Sequence, residues 1–181
     1  MALPYVVKPP REGSSVGVHI CRTEDEAKSA MEDAVKYSND VLIEQFVEGL
    51  ELTVGVLDGE VFPIVHIAPR SGFYDMSNKY PWMEETEETK TDYYCPADLS
   101  PEVTKSVQDA ALAAHVSLGV EVYSRVDVLL DKDGAPYVLE ANTIPGMTES
   151  SLLPKAAKVA GYPFAELCMK IVDISKNTPR G

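Results

Sequence analysis

Arg125-Val-Asp127-Val-Leu-Leu130-Asp131-Lys-Asp-Gly134-Ala135-Pro-Tyr-Val-Leu-Glu140-Ala-Asn142 is the stretch whose reading decides the fold. Asp131-Lys-Asp-Gly134 is a turn signal between two alternating strands. With Leu130 opposite Ala135, Arg125 faces Glu140 and Asp127 faces Val138. Side chains alternate along a strand, so one face carries Val126, Val128, Leu130, Ala135, Tyr137, Leu139 and Ala141. That face is wholly apolar and is expected to be buried. The other carries Arg125, Asp127, Glu140 and Asn142. Two carboxylates, a carboxamide oxygen and a guanidinium converge there. Hard oxygen ligands beside a permanent cation suit magnesium-assisted phosphoryl chemistry. Taken alone, the hairpin fits equally well a solvated sheet face with one Arg125–Glu140 ion pair.

The residues that follow favour the chemical reading. Thr143-Ile-Pro-Gly-Met-Thr148 runs into Glu149-Ser-Ser-Leu-Leu-Pro154. A Pro-Gly turn, then serines opening a helix, offers backbone amides beside the metal patch.

The chain has 181 residues, 45% hydrophobic and 25% charged, which suits one globular domain or two small lobes. A net charge of -13 argues against nucleic acid as a partner, because a phosphate backbone selects basic surfaces. No apolar run reaches membrane-spanning length, and no basic segment leads into an apolar one. Cys21, Cys95 and Cys168 are odd in number and widely spaced, so reduced thiols are expected rather than zinc or a disulfide framework. The expectation is a soluble cytoplasmic protein that contacts neither nucleic acid nor membrane.

Along the chain, Pro4–Lys8 reads as a strand, then the loop 11–17, then a strand from Val16 to Ile20. Thr23 and Glu26 form a capping box for a helix over 24–37, whose apolar positions are Ala27, Ala30, Met31, Ala34 and Val35. Val41–Phe46 is a short strand. Leu50–Leu57 and Val61–Ile67 form a hairpin around Asp58-Gly59. Residues 68–98 show no period, and a loop of that length inside a compact domain is usually functional. Ser100-Pro101 starts a helix reaching about residue 119, with Pro at its first position. Two short helices, about 151–160 and 163–175, close the chain around a Gly161 cap. The sum is an α+β chain dominated by antiparallel hairpins.

Smaller motifs carry two readings each. Glu12-Gly-Ser-Ser-Val-Gly17 after Lys8 can fold over a polyphosphate, since no Cβ blocks approach, or can be a plain hairpin loop. The connection Glu44–Glu51 can bind an adenine edge and ribose hydroxyls, or be an ordinary polar link. Phe73, Lys79 and Tyr80 in the long loop can form a lid over phosphate and substrate, or pack locally. His19, His66 and His115 read as structural, with no Ser-His-Asp or Cys-His arrangement in view.

In order, the chain carries Val7-Lys8-Pro9, Glu12-Gly-Ser-Ser-Val-Gly17, Glu44 to Thr53, Phe73-Tyr-Asp75 with Lys79-Tyr80, Arg125-Val-Asp127, Leu139-Glu-Ala-Asn-Thr143, and Pro145-Gly-Met-Thr148 with Ser151-Leu152. This set resembles the bacterial D-alanine–D-alanine ligases of the ATP-grasp superfamily, from about residue 4 to residue 175. The resemblance implies an ATP-grasp fold, with residues 1–45 as the C-terminal part of the central lobe and 46–181 as the C-terminal lobe, hinged near Glu44–Gly49. It implies that Lys8 holds ATP phosphates and that Glu44, Phe46 and Val47 line the adenine pocket. Glu51 would lie on the ribose, Phe73 at the nucleotide, and Lys79 on the transferring phosphoryl group. Tyr80 would pair with Ser14 to close a loop. Asp127, Glu140 and Asn142 would bind two Mg2+ or Mn2+ ions, with Glu140 bridging. Arg125 and the Gly146 amide would stabilise an oxyanion, and Ser151 with the Leu152 amide would hold the second D-alanine.

The implied reaction joins two D-alanines through an acyl phosphate, for peptidoglycan precursors, in a homodimeric parent. Family members carry further sequence before the residue matching Lys8, so the expectation is a fragment of a longer ligase, inactive by itself. Two alternatives stand beside it. One is another ATP-grasp carboxylate–amine ligase. The other is a nucleotide-binding module without catalysis.

Overall fold

The computed structural model describes residues 1–13, 15–70 and 91–178. The chain gathers into two compact units, one built on Met1–Val47 and the other on Glu48–Ala68 with Asp92–Gly181.

The first unit contains β1 (Tyr5–Lys8), β2 (His19–Cys21), α1 (Glu24–Ala34) and β3 (Leu42–Gln45). Its sheet runs β2-β1-β3, with β1 antiparallel to both neighbours. Tyr5 and Val7 alternate onto one face and pack with Cys21, Ala27, Ala30 and Ala34. The capping box forms as expected: Glu26 N donates to Thr23 Oγ1 at 3.2 Å, and Thr23 N donates to Glu26 Oε2 at 3.3 Å. The helix closes at Ala34 rather than residue 37, where Tyr37 N already bonds the Ala34 carbonyl in a turn. The strand expected from Val16 begins only at His19. Val16 N donates to Gly13 O and Val18 N to Ser15 O, and both Ser15 (φ 60°) and Gly17 (φ 68°) are left-handed. Successive turns therefore occupy the residues read as extended.

The second unit holds β4 (Gly49–Leu57), β5 (Glu60–Val61), β6 (Val65–Pro69), β7 (Thr91–Tyr94), α2 (Pro101–Ser117), β8 (Tyr123–Asp131), β9 (Pro136–Asn142), α3 (Leu152–Val159) and α4 (Phe164–Asn177). Its sheet runs β7-β6-β4-β8-β9, with β5 paired to β4. The expected hairpin at Asp58-Gly59 is present, and both residues are left-handed, as a tight primed turn requires. Its return strand breaks into β5 and β6 around Pro63, which has no N–H for the ladder. β7 lies in the region that shows no sequence period.

Helices cover both sheet faces. Leu52, Val54, Val126, Val128 and Leu130 pack against Val107 and Ala111 of α2. Leu57, Phe62 and Val65 pack against Leu153, Ala156 and Ala157 of α3 and Leu167 of α4. Ser100 caps α2 through Val103 N at 3.3 Å, with Pro101 at the first position as expected. Gly161 follows α3 with φ 98°.

The β8–β9 register differs from the expectation. Arg125 pairs with Asn142 and Asp127 with Glu140, while Val128 pairs with Val138 and Leu130 with Pro136. Asp131 closes the turn instead of lying within it: its N donates to Ala135 O, and its Oδ1 accepts from Asp133 N at 2.9 Å and Ala135 N at 2.8 Å. Lys132-Asp133-Gly134 is then a three-residue loop with Gly134 left-handed at φ 82°. A second shift follows between Asp127 and Val128, leaving Leu139 as the extra residue of a bulge. Tyr137 and Leu139 were expected on a buried face. They are 45% and 42% exposed, on the last strand of the sheet order. The residues of β8 on that face, Val126, Val128 and Leu130, are buried as expected.

Candidate functional site

The bulge leaves the chemical face intact, because Arg125–Asn142 and Asp127–Glu140 still match parity. β4 extends the face, since Thr53 pairs with Asp127 and Gly55 with Arg125. Two cross-strand rows result. Thr53, Asp127 and Glu140 form one; Gly55, Arg125 and Asn142 form the other.

Asp127 is the centre of the patch. Its Oδ1 accepts from Thr53 Oγ1 at 2.6 Å and from Arg125 Nε at 3.0 Å. Its Oδ2 accepts from Arg125 Nη2 at 2.8 Å and Asn142 Nδ2 at 3.2 Å. The guanidinium thus grips the carboxylate as a fork, the strongest ion-pair geometry available to these groups. The Arg125 and Asp127 side chains are only 20% and 19% exposed. The cross-strand Arg125–Glu140 pairing of the sequence reading is replaced by this in-strand pair.

Asn142 Nδ2 donates to Glu140 Oε1 as well, also at 3.2 Å. One amide group therefore bridges the two carboxylates. The carboxamide oxygen was expected to face them; the nitrogen does so instead, as it must when two anions stand close and the amide is their common donor. Among the described residues no three His, Cys, Asp or Glu side chains gather into a metal cluster. Two carboxylates on adjacent strands that share one donor nonetheless fit a hard divalent cation, which takes few protein ligands and completes its shell elsewhere.

The backbone near α3 supplies the next part. Ser151 is the N-cap of α3, yet its side chain makes no cap bond. Its Oγ accepts from Thr148 N at 3.1 Å and lies 2.8 Å from Thr148 Oγ1. The first-turn amides, Leu152 included, are not taken by that hydroxyl, and a helix N-terminus with open amides suits an anion. A Cβ on Gly146 would stand 3.1 Å from Ser151 Oγ, so glycine keeps this turn tight. Gly55 seats the helix on the sheet, since a Cβ there would lie 2.5 Å from Leu153 Cδ1 and 2.9 Å from Phe62 Cδ2.

In the first unit, Lys8 Nζ and Glu44 pair at 2.5 Å across β1 and β3. Phe46 N donates to Pro4 O at 3.2 Å and Gln45 Nε2 to the same oxygen at 2.9 Å, which fixes the end of β3. Phe46 and Val47 are half-buried, as is Glu51 on β4 of the second unit. Ser14, Phe73, Lys79 and Tyr80 lie outside the described residues.

Thr53 is the site residue that the sequence reading missed. It is 1% exposed and 74 residues from Asp127 in the chain, so only the β4–β8 pairing connects them. A second hidden polar pair lies under α2, where His115 Nδ1 is 2.8 Å from Ser124 Oγ. Burial pushes the His115 imidazole below its ordinary pKa.

A sequence model of the family described as "D-ala D-ala ligase C-terminus" matches residues 1–173. The D-alanine–D-alanine ligase of Methylacidiphilum infernorum is 49% identical over 172 residues, covering 95% of this chain and 55% of the relative. The crystal structure of the Bacillus anthracis D-alanine–D-alanine ligase superposes with a TM-score of 0.84 at 38% identity, over 97% of this chain and 55% of that one. A Bacillus anthracis D-alanine–D-alanine ligase complexed with ATP gives a TM-score of 0.81 at 35% identity, over 97% and 53% of the two chains. The VanG D-Ala:D-Ser ligase of Enterococcus faecalis gives a TM-score of 0.81 at 30% identity, over 96% and 50%. The chain spans about half the length of the curated relatives it matches.

Proposed function

Because the chain belongs to the D-ala D-ala ligase C-terminus family, we propose that it forms the C-terminal part of an ATP-dependent ligase that joins two D-alanines. Residues 1–45 correspond in this reading to the end of the central ATP-grasp lobe, and 46–181 to the C-terminal lobe. The observation that carries it is the cross-strand pair of rows, in which Asp127, Glu140, Asn142 and Arg125 share one face.

Each residue then has a task. Asp127, Glu140 and Asn142 would hold Mg2+ or Mn2+, which supplies charge neutralisation for the triphosphate. Lys8, now paired with Glu44, is free to exchange that partner for phosphate oxygens. Glu44, Phe46 and Val47 serve the adenine, and Glu51 the ribose. Ser14, Phe73, Lys79 and Tyr80 take the loop and lid roles. Phosphoryl transfer to the first D-alanine gives an acyl phosphate, and the amine of the second displaces phosphate from it. Arg125 and the Gly146 amide meet the negative charge on the tetrahedral carbon's oxygen. Ser151 and the Leu152 amide hold the second carboxylate. The protein's contribution is position and charge rather than covalent chemistry.

Likeness to the D-Ala:D-Ser ligase supports a second reading, with D-serine as acceptor; the higher identity to D-alanine–D-alanine ligases supports the first. The test is phosphate release by the polypeptide that carries this sequence, with ATP, Mg2+ and D-alanine. Release that depends on D-alanine and disappears in Asp127→Ala is expected. Binding of ATP without such release would leave a nucleotide-binding module and end the ligase reading.

A further inference from the structure

Asp127 accepts four hydrogen bonds, and three of them come from groups with other duties in the proposed reaction. Arg125 donates two and Asn142 one. When the guanidinium turns to an oxyanion and the carboxamide to a cation, those three bonds weaken or are lost. The fourth comes from Thr53, whose hydroxyl has no other assigned task. We infer that Thr53 is a positioning residue: it anchors Asp127 Oδ1 so that Oδ2 stays aimed at Glu140 for cation binding. The inference rests on the metal reading of Asp127 and Glu140 given above.

The geometry separates the two oxygens. Thr53 is on the buried side of Oδ1, 1% exposed and directly opposite Asp127 in the ladder. Oδ2 is the oxygen that shares Asn142 Nδ2 with Glu140 Oε1, so it faces the partly exposed side. Thr53 Oγ1 has one proton and two acceptors near it, Asp127 Oδ1 at 2.6 Å and Val126 O at 3.3 Å. The shorter contact, to a charged oxygen, takes the proton. A β-branched side chain on a central strand has little χ1 freedom, so the hydroxyl direction is fixed by the backbone. A carboxylate held at one oxygen by a rigid donor keeps its rotamer when its mobile partners leave. Outer partners of this kind typically change metal affinity about 10- to 100-fold when removed.

The test is a Mn2+ titration of this chain, followed by the electron paramagnetic resonance signal of the free ion. Asp127→Asn, Thr53→Val and Thr53→Ser are compared, with circular dichroism confirming that each is folded; Thr53→Ala replaces the valine variant should that one unfold. Asp127→Asn is expected to abolish the site. Loss of the hydroxyl in Thr53→Val raises the Mn2+ Kd about tenfold, and Thr53→Ser stays within about twofold of the unaltered chain. Thr53→Val binding as tightly as the unaltered chain, while Asp127→Asn does not bind, overturns the inference and leaves the metal reading standing. Equal weakening by valine and serine also overturns it, because packing of the methyl would then be the cause. Absence of Asp127-dependent Mn2+ binding in the unaltered chain removes the metal reading, and the inference goes with it.

Discussion

The two units place their polar contacts differently. In the second, Arg125 and Asp127 form a two-bond fork at about one-fifth exposure, with Thr53 and Asn142 completing the carboxylate. In the first, Lys8 and Glu44 make one contact, with side chains 20% and 35% exposed, so the difference lies mainly in the number of bonds. The histidines repeat the contrast. His115 is 3% exposed against Ser124 in the second unit, whereas His19 reaches Asp33 with a side chain 41% exposed in the first. The lesson concerns preorganisation. A carboxylate that accepts four hydrogen bonds at about one-fifth exposure holds its groups in one arrangement. A pair held by a single contact changes partners at less cost than a carboxylate held by four.

The largest expected effect comes from breaking the four-bond network around Asp127. Asp127→Ala removes four accepted bonds, including both arms of the fork, and leaves a poorly solvated guanidinium. Loss of one partner of such a pair costs about 3 kcal/mol. Urea unfolding of the variant should show that drop with an unchanged m-value. A change below about 0.5 kcal/mol would mean that the second unit's network is as loose as the first unit's pair.

Next comes Gly55→Ala. The added Cβ falls 2.5 Å from Leu153 Cδ1, a distance that ordinary packing does not tolerate, so α3 or Phe62 must shift. Overpacking of this kind costs about 1–3 kcal/mol. The same unfolding measurement reads it. A variant of unaltered stability would show that α3 sits on β4 with slack, and that the Ser151 turn is less firmly placed than its neighbours suggest.

What could be read in the sequence follows the range of the interactions. The capping box at Thr23–Glu26, the Ser100-Pro101 start and the Asp58-Gly59 turn rest on residues a few positions apart, and all three were legible. The shared face of Arg125, Asp127, Glu140 and Asn142 was legible too, because parity survives a shift of two. The register itself was not. Val138 and Leu139 are both apolar, so nothing in the pattern marks Leu139 as the bulge, and Asp131 looks like a loop residue until its carboxylate is seen closing the turn. Thr53 was illegible for a different reason: a buried hydroxyl declares its partner only through strand pairing, here across 74 residues.

The histidine contrast predicts two acid transitions. Burial lowers the pKa of His115, and of His66 in the same unit, so the folded chain refuses a proton that the unfolded chain accepts near the ordinary value of about 6.5. Below that value the unfolded state binds more protons and stability falls with pH. Asp33 is lowered by its hydrogen bonds from His19 and Lys36, so its contribution is present above the ordinary carboxylate range and lost only as pH falls through the folded value, below about 4. The melting temperature should therefore fall first between about pH 7 and 5.5, and His115→Gln should flatten part of that slope. A variant with the unaltered slope would put the proton uptake elsewhere.

The smallest effect belongs to the single-contact pair. Glu44→Gln removes the charge from the Lys8 contact while keeping a side chain of similar shape. A single-contact pair that keeps some access to water is partly screened by salt, and its loss should cost about 0.5–1 kcal/mol. The binding consequence should have the opposite sign. Once Lys8 no longer has a carboxylate to satisfy it, the first unit offers an uncompensated cation, and the affinity for inorganic triphosphate should rise as stability dips. Isothermal titration of triphosphate with Glu44→Gln and with Lys8→Ala reads this directly. Tighter binding in the first and weaker binding in the second is the expected outcome. If Glu44→Gln instead weakened triphosphate binding and cost more than about 2 kcal/mol, the Lys8–Glu44 pair would be a structural tie like the Arg125–Asp127 fork, and the contrast between the units would collapse.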